Sequence, residues 1–420
     1  MAYNRKQRLN DNIKAIETAF ILDREQRTPT ARERLLLERY CGFGGLKCIL
    51  NPARELADAV HWAKSDLELF APTVELHRLI RENSKNESEY KQLMDSLKQS
   101  VLTAFYTPSA VTEVLTDVLK EHQIIPEKVL EPSAGIGAFV DSVLDNNPKA
   151  DIMAFEKDLL TGKILRHLHP EQKVRIEGFE KIEKPFNDYF DLAISNIPFG
   201  DVAVFDPSYT AMKGMRALVT RRIHNYFFVK ALDTVRDGGL VAFITSQGVL
   251  NAKNNSAARF MMLYHADLVS AIRLPNNLFT ENANTEVGSD LIILQKNSQK
   301  ESLRGDDNLL DTVYNDENRI PTNNYFLEHP ERIIHTTAKL DTDPFGKPAM
   351  IYTHEDGVEG IAEDLRKMLH EDFKKNLNLN RYLGIEETKA EEVKEVEETE
   401  KIEKTAKIKP SIEEKQNDTV

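Results

Sequence analysis

The sequence predicts an α/β fold, a doubly wound and mostly parallel sheet, with a helical N-terminal region and a disordered acidic tail. Three observations carry this. Six short apolar runs between residues 128 and 294 have the length and composition of strands buried on both faces. Helical patterns lie between several of them, as the crossovers of a parallel sheet require. A glycine turn follows the first run and opens a helix, and sheets of this kind bind ligands beyond the carboxyl ends of their strands.

Residues 1–100 read as a helical N-terminal region. Ile13, Ile16 and Phe20, then Leu35 and Leu36, recur at helical spacing. Tyr40-Cys41-Gly42-Phe43-Gly44-Gly45-Leu46 is expected to be a glycine-rich connector, since no Gly-Lys-Ser/Thr follows it to make a phosphate loop. Residues 101–298 hold the sheet. Its expected strands are 128–130, 152–155, 192–194, 240–244, 268–272 and 291–294. One helix is marked by Val111, Val114, Leu115, Val118 and Leu119, another by Phe227, Phe228, Ala231, Leu232 and Val235. Residues 299–384, polar and turn-rich, form a small C-terminal extension. From 385 the chain reads as a disordered charged tail, rich in Glu and Lys and poor in aromatics.

The formal net charge is −13. Residues 386–420 hold twelve acids against seven bases, so five of those charges belong to the tail. Any nucleic-acid site must then be a local basic patch rather than the field of the whole molecule. No apolar run approaches the roughly 18 residues of a membrane span. MAYNRKQRLN lacks an apolar signal core. Cys41 and Cys48 match neither a zinc spacing nor a disulfide framework. These features lead us to expect a cytoplasmic protein with no metal and no membrane partner.

Two elements of the sheet region point to a bound cofactor. In Glu131-Pro132-Ser133-Ala134-Gly135-Ile136-Gly137 a buried strand ends in an acid and a glycine turn, where a ligand can approach the main chain closely. Glu156 ends the next strand 19 positions after Gly137, the place of an acid that holds ribose hydroxyls. Farther on, a buried strand runs directly into Asn196-Ile197-Pro198-Phe199. The amine of an aromatic base is a poor nucleophile because its lone pair is delocalised. Two acceptors aimed at its N–H bonds, the Asn196 side-chain oxygen and the Ile197 carbonyl, favour a more tetrahedral nitrogen. Pro198 fixes the turn, and Phe199 supplies a face on which an unstacked base lies. In-line transfer of a methyl group then needs orientation rather than a general base or a metal.

Together these residues resemble the class I S-adenosylmethionine-dependent DNA methyltransferases that act on the N6 of adenine, above all those of mobile elements and of Type I modification subunits. The resemblance implies a Rossmann-like sheet, S-adenosylmethionine as cofactor, and DNA as substrate. Phe105-Tyr106-Thr107-Pro108 resembles the segment ahead of the glycine motif, so that Tyr106, Thr107 and Pro108 join Glu131, Pro132, Ser133, Gly135, Gly137 and Glu156 around the cofactor. Asn196, Pro198 and Phe199 match the Asn-Pro-Pro-Tyr/Phe catalytic motif, with Ile197 in place of the first proline. Gly178-Phe179-Glu180 stands for the third, acidic motif with its acid displaced, and carries Phe179 and Glu180 over as contacts to the cofactor adenine. Tyr40 to Leu46, Tyr325-Phe326, His329-Pro330-Glu331 and Gly346-Lys347-Pro348 resemble segments flanking the methylase core in large methylase–helicase proteins of conjugative elements. A specificity or helicase protein is therefore an expected partner.

Between the catalytic motif and the helix of Tyr226 lie Lys213, Arg216, Arg221 and Arg222, expected to hold phosphates around a flipped base. Residues 276–287 are expected to form a second rim of the cleft. The same motif serves methylation of ribosomal RNA amino groups and of protein glutamine, and a DNA-binding module of this fold that has lost the reaction is a further alternative. A nicotinamide-dependent dehydrogenase would share the glycine turn but gives no account of Asn196 to Phe199.

Overall fold

A computed structural model describes residues 4–103, 106–212, 214–280, 286–303, 307–314, 319–343 and 346–385. Phe105, Lys213, positions 281–285 of the expected second rim and the tail from 386 lie outside these.

Seven strands form one sheet: β1 (Lys128–Glu131), β2 (Asp151–Phe155), β3 (Lys173–Arg175), β4 (Phe190–Asn196), β5 (Val235–Ser246), β6 (Ala266–Leu274) and β7 (Ser289–Lys296). Their order is β3-β2-β1-β4-β5-β7-β6. β1 to β5 pair in parallel, while β7 runs antiparallel between β5 and β6. All six expected strands are present. β3 is an addition, an edge strand of three residues whose Lys-Val-Arg sequence carries no apolar run. The direction of β7 is not written in its apolar pattern either, since burial on both faces looks the same in either sense.

The expected helices also form. α5 (Ser109–Glu121) buries Val111, Val114, Leu115, Val118 and Leu119, and α6 (Ala138–Asn146) buries Phe139, Val140 and Val143. α7 (Leu159–Leu168) starts at Asp158, whose carboxylate accepts from the Thr161 N–H at 2.8 Å, an N-cap. After β4 come two short helices, α8 (Pro207–Thr210) and α9 (Met215–Val219), then α10 (Ile223–Thr234). α11 (Gly248–Asn251) and α12 (Ser256–His265) link β5 to β6.

The N-terminal helices α1 (Arg5–Glu25), α2 (Ala31–Leu37), α3 (Phe70–Glu82) and α4 (Glu87–Thr103) share one hydrophobic cluster with Leu160, Ile164 and Leu168 of α7. Asp23 pairs with Lys163, Arg166 and His167 of the same helix. The glycine-rich segment is fixed within this packing. Asn12 donates to the Gly42 carbonyl at 2.6 Å, Phe43 N–H donates to Ser100 at 3.1 Å, and Tyr40 meets Thr161 at 3.3 Å. These bonds tie the segment to α1, α4 and α7.

Past the sheet lie two small antiparallel hairpins, β8 (Thr312–Tyr314) with β9 (Pro321–Asn323), and β10 (Thr337–Thr342) with β11 (Pro348–Thr353). α13 (Asn324–Glu328) separates them. α14 (Gly357–Asn376) then covers α5 and β6, and its Asp372 accepts from Ser270 at 2.6 Å. The chain divides into two units, Met1–Leu377 and Asn378–Val420. The described part of the second is a short helix, Leu379–Leu383.

Candidate active site

β1 and β4 are neighbours at the centre of the sheet, with Leu130 opposite Ala193. Their carboxyl ends therefore carry the glycine turn and the Asn196 motif side by side. The Ser195 hydroxyl donates to the Ser133 carbonyl at 3.2 Å and ties the two together. Ser195 was not singled out from sequence; its signal is a hydroxyl placed directly after the apolar run Leu192 to Ile194.

The glycine turn is built from three bonds. Ala134 N–H donates to the Phe155 carbonyl at 2.8 Å, Gly137 N–H to the Ala134 carbonyl at 2.8 Å, and Gly135 N–H to the Glu156 carboxylate at 2.8 Å. Gly135 and Gly137 have φ of +57° and +94°, conformations that favour glycine. A β-carbon on Gly135 would come within 2.8 Å of the Tyr106 ring, and one on Gly137 within 2.6 Å of His169 Nε2. Tyr106, Ser133, Gly135, Gly137 and Glu156 thus converge from three separate segments, beside the buried Thr107, Pro108 and Pro132.

The Glu156 carboxylate accepts the Gly135 N–H on one oxygen and the Asp158 N–H at 2.7 Å on the other, with the Lys157 N–H also facing it, and a carboxylate so engaged still has acceptor capacity left. Burial, reinforced by the neighbouring Asp158, pushes its pKa up to about 8. Glu131 is 2% exposed and its Oε2 has no hydrogen-bond partner. Burial, then Asp141 and Glu156, push this acid well above the carboxylate range. His169 Nε2 likewise makes no hydrogen bond, with Asp141 3.7 Å away, and burial lowers its pKa to about 4. A cradle with open acceptors, a neutral imidazole and two glycines at positive φ fits a nucleoside carrying hydroxyl and ammonium donors.

At the motif, Ile197 is 1% exposed in the core and its N–H donates to the Ile244 carbonyl at 3.0 Å. A proline there would lack that donor. The isoleucine holds the turn by a ladder bond and core packing instead of a ring. Pro198 and Phe199 are half-buried, and the Phe199 ring meets Phe279 edge-on at 6.4 Å. Phe279 lies in the short helical turn Asn276–Phe279, within the expected second rim.

Other expected residues are engaged within the protein. The Phe179 ring is 1% exposed and packs against Phe155 at 5.8 Å and Phe227 at 5.3 Å, so it presents no free face to an adenine. Glu180 folds back over Gly178. Arg216 forms a two-pronged pair with Asp233 at 2.6 and 2.9 Å, and its charge is compensated there. Arg222 contacts Asp201 at 3.0 Å and Asn254 and Asn255 at 2.6 and 2.8 Å. Arg221 is exposed. Arg221 and Arg222 border a cleft of about 570 Å³ with Asn225, Asn255 and Ser256. Among the described residues there is no cluster of three or more His, Cys, Asp or Glu able to hold a metal, and no helix long and apolar enough to cross a membrane.

The N-6 DNA methylase family pattern matches residues 88–391. The chain is similar to the Defense against restriction protein B of Escherichia phage P1, with 29% identity over 201 residues, 46% of this chain and 8% of that one. It is also similar to the Type II methyltransferase M.XamI of Xanthomonas campestris pv. amaranthicola, with 25% identity over 173 residues, 38% of this chain and 33% of that one. The matches thus span a third or less of these relatives. Among solved structures, a modification subunit of a putative type I restriction enzyme from Vibrio vulnificus YJ016 is 15% identical, with a TM-score of 0.40 over 69% of this chain and 67% of that one. A putative class I S-adenosylmethionine-dependent methyltransferase from Listeria monocytogenes is 15% identical, with a TM-score of 0.41 over 71% and 90%.

Proposed function

The chain belongs to the N-6 DNA methylase family, and on that premise we propose that it methylates the exocyclic N6 of adenine in DNA. The observation that carries this is the junction of the Asn196 motif with the glycine turn through Ser195 and Ser133. When bound, S-adenosylmethionine supplies an electrophilic methyl group on a sulfonium. Glu156 holds the ribose hydroxyls through its remaining lone pairs, while Glu131 takes a donor of the same cofactor. Tyr106, lying on Gly135, closes the site with Thr107 and Pro108.

Asn196 Oδ1 and the Ile197 carbonyl accept the two N–H bonds of the adenine amine and hold its lone pair toward the methyl donor. Phe199 stacks on the flipped base, with Phe279 behind it. The work of the chain is to orient and to exclude water; as the N6–methyl bond forms, the carbon–sulfur bond of the sulfonium would break to release the thioether product, and the cationic N6 would then lose one proton to solvent. Arg221 contacts the DNA backbone, Arg222 holds the amides beside it, and a specificity or helicase protein completes the grip on the duplex. Phe179 contributes by packing beneath the site, and Arg216 by holding α9 to α10.

The test is transfer from radiolabelled S-adenosylmethionine to three acceptors: duplex DNA, ribosomal RNA and a glutamine-bearing peptide. Label in DNA, recovered as N6-methyladenine on digestion, supports the proposal. Label confined to RNA or peptide would refute the substrate assignment.

A further inference from the structure

We propose that the cleft between α10 and α12 is a nucleotide subsite, holding the phosphate and base edge of the DNA nucleotide that flanks the target adenine. The inference rests on DNA being the substrate. It arises from a chain of side-chain amides whose orientations fix one another. The Asn255 amide donates to the Gly248 carbonyl at 2.7 Å, which sets its orientation, because a flip would oppose two oxygens. Asn255 Oδ1 then accepts from Arg222 at 2.8 Å and from Asn225 Nδ2 at 2.9 Å. Asn225 is thereby oriented in turn, and its own Oδ1 has no donor although the residue is 4% exposed. Buried polar atoms of folded proteins are nearly always paired, so a lining residue with an open acceptor marks a place for a ligand N–H.

The opposite wall offers donors. Asn255 is the N-cap of α12, a ten-residue helix, but its side chain makes no capping bond because both ends are already spent. The first turn of α12 lines the cleft with Ser256, Ala257 and Ala258; the Ser256 N–H donates to the Lys253 carbonyl, and no side chain caps the turn. Arg221, exposed on the rim, makes no ion pair among the described residues. Asp201 balances Arg222, so Arg221 supplies the uncompensated charge. A ligand with anionic oxygens at one end and an N–H edge at the other matches this pattern, and a nucleotide is such a ligand. Asp201 lies two positions past Phe199, which puts the subsite next to the target base.

The experiment uses the full chain, as wild type, Arg221→Ala and Asn225→Ala. Duplex methylation is followed at several salt concentrations, with S-adenosylmethionine binding by calorimetry as the check on folding. Arg221→Ala is expected to raise the KM for duplex about tenfold, with the slope of log affinity against log salt reduced by about 1, while the affinity for S-adenosylmethionine is unchanged. Asn225→Ala is expected to relax the preference for the base beside the methylated adenine. An unchanged KM and salt slope in Arg221→Ala, with wild-type methylation of DNA intact, would overturn the subsite alone. Absence of DNA methylation by the wild type would overturn the functional reading and the subsite with it. A free deoxynucleoside monophosphate that binds the cleft without competing with duplex would overturn the assignment to the DNA chain.

Discussion

The Ser195 hydroxyl donates to the main-chain carbonyl of Ser133 across 3.2 Å, joining the end of β4 to the glycine turn after β1. Ser195 is fully buried and directly precedes Asn196. On the proposed function, the bond sets the distance between the residue that would hold the acceptor base and the turn that would hold the cofactor. Ser195→Ala should therefore cost about 1 kcal/mol of stability and lower kcat roughly tenfold, with little change in S-adenosylmethionine affinity. Single-turnover transfer and calorimetric titration measure the two effects separately. An unchanged kcat would show that the strand pairing alone sets the alignment.

Glu156 predicts a pH dependence. Its folded pKa, raised to about 8 by burial and by Asp158, exceeds its ordinary value of 4.5. Between these values the folded state keeps a proton that the unfolded chain has released. The stability contribution of this group is therefore full below about pH 4.5 and is lost as pH rises through about 8. Glu156→Gln should flatten the fall in the urea midpoint over that window. The ionised carboxylate is also the stronger acceptor for hydroxyls, so wild-type S-adenosylmethionine affinity should rise through pH 8 and the variant's should not.

Gly137 is the position where a small change should do most damage to the cofactor cradle. Its φ is +94°, and a β-carbon would meet His169 Nε2 at 2.6 Å and Leu165 Cδ1 at 2.8 Å. Gly137→Ala should cost on the order of 2 kcal/mol and weaken S-adenosylmethionine binding by more than tenfold. Thermal unfolding with and without the cofactor would reveal both losses.

A buried ion pair locks the far side of the sheet. Arg273 of β6 contacts Asp290 of β7 at 2.9 and 3.1 Å, with both side chains nearly inaccessible, and the guanidinium lies over Phe326 at 4.1 Å. Removing one partner strands the other charge in the core. Asp290→Ala should cost roughly 3–5 kcal/mol, read as a lower denaturant midpoint. A variant as stable as the wild type would mean that Arg273 finds another partner, such as Asn251, which it already contacts at 3.0 Å.

The sheet was legible because its strands are apolar on both faces, and the order of the glycine turn, Glu156 and Asn196 along the chain foretold their meeting at one edge. What escaped had weaker local signatures. β3 is three residues long and flanked by charge. α14 shows Ile361, Leu365, Leu369 and Phe373 at intervals of four, a stripe that the polar residues of the extension obscured. Arg216 looked available because sequence does not reveal that Asp233, one helix later, is within reach. Phe179 sits in the position of a motif, yet its ring faces the core. Asn225 and Asn255 were invisible for a different reason. Their significance lies in which atom each amide has left over, and only the hydrogen-bond network determines that.

We propose above all that Asn196 presents the adenine amine to the methyl donor. The most direct measurement compares wild type and Asn196→Ala for label transferred to duplex DNA, with S-adenosylmethionine binding followed in parallel. The expected result is N6-methyladenine from the wild type and a loss of about 10²–10³-fold in the variant, with cofactor binding retained. Equal transfer by both proteins would contradict it.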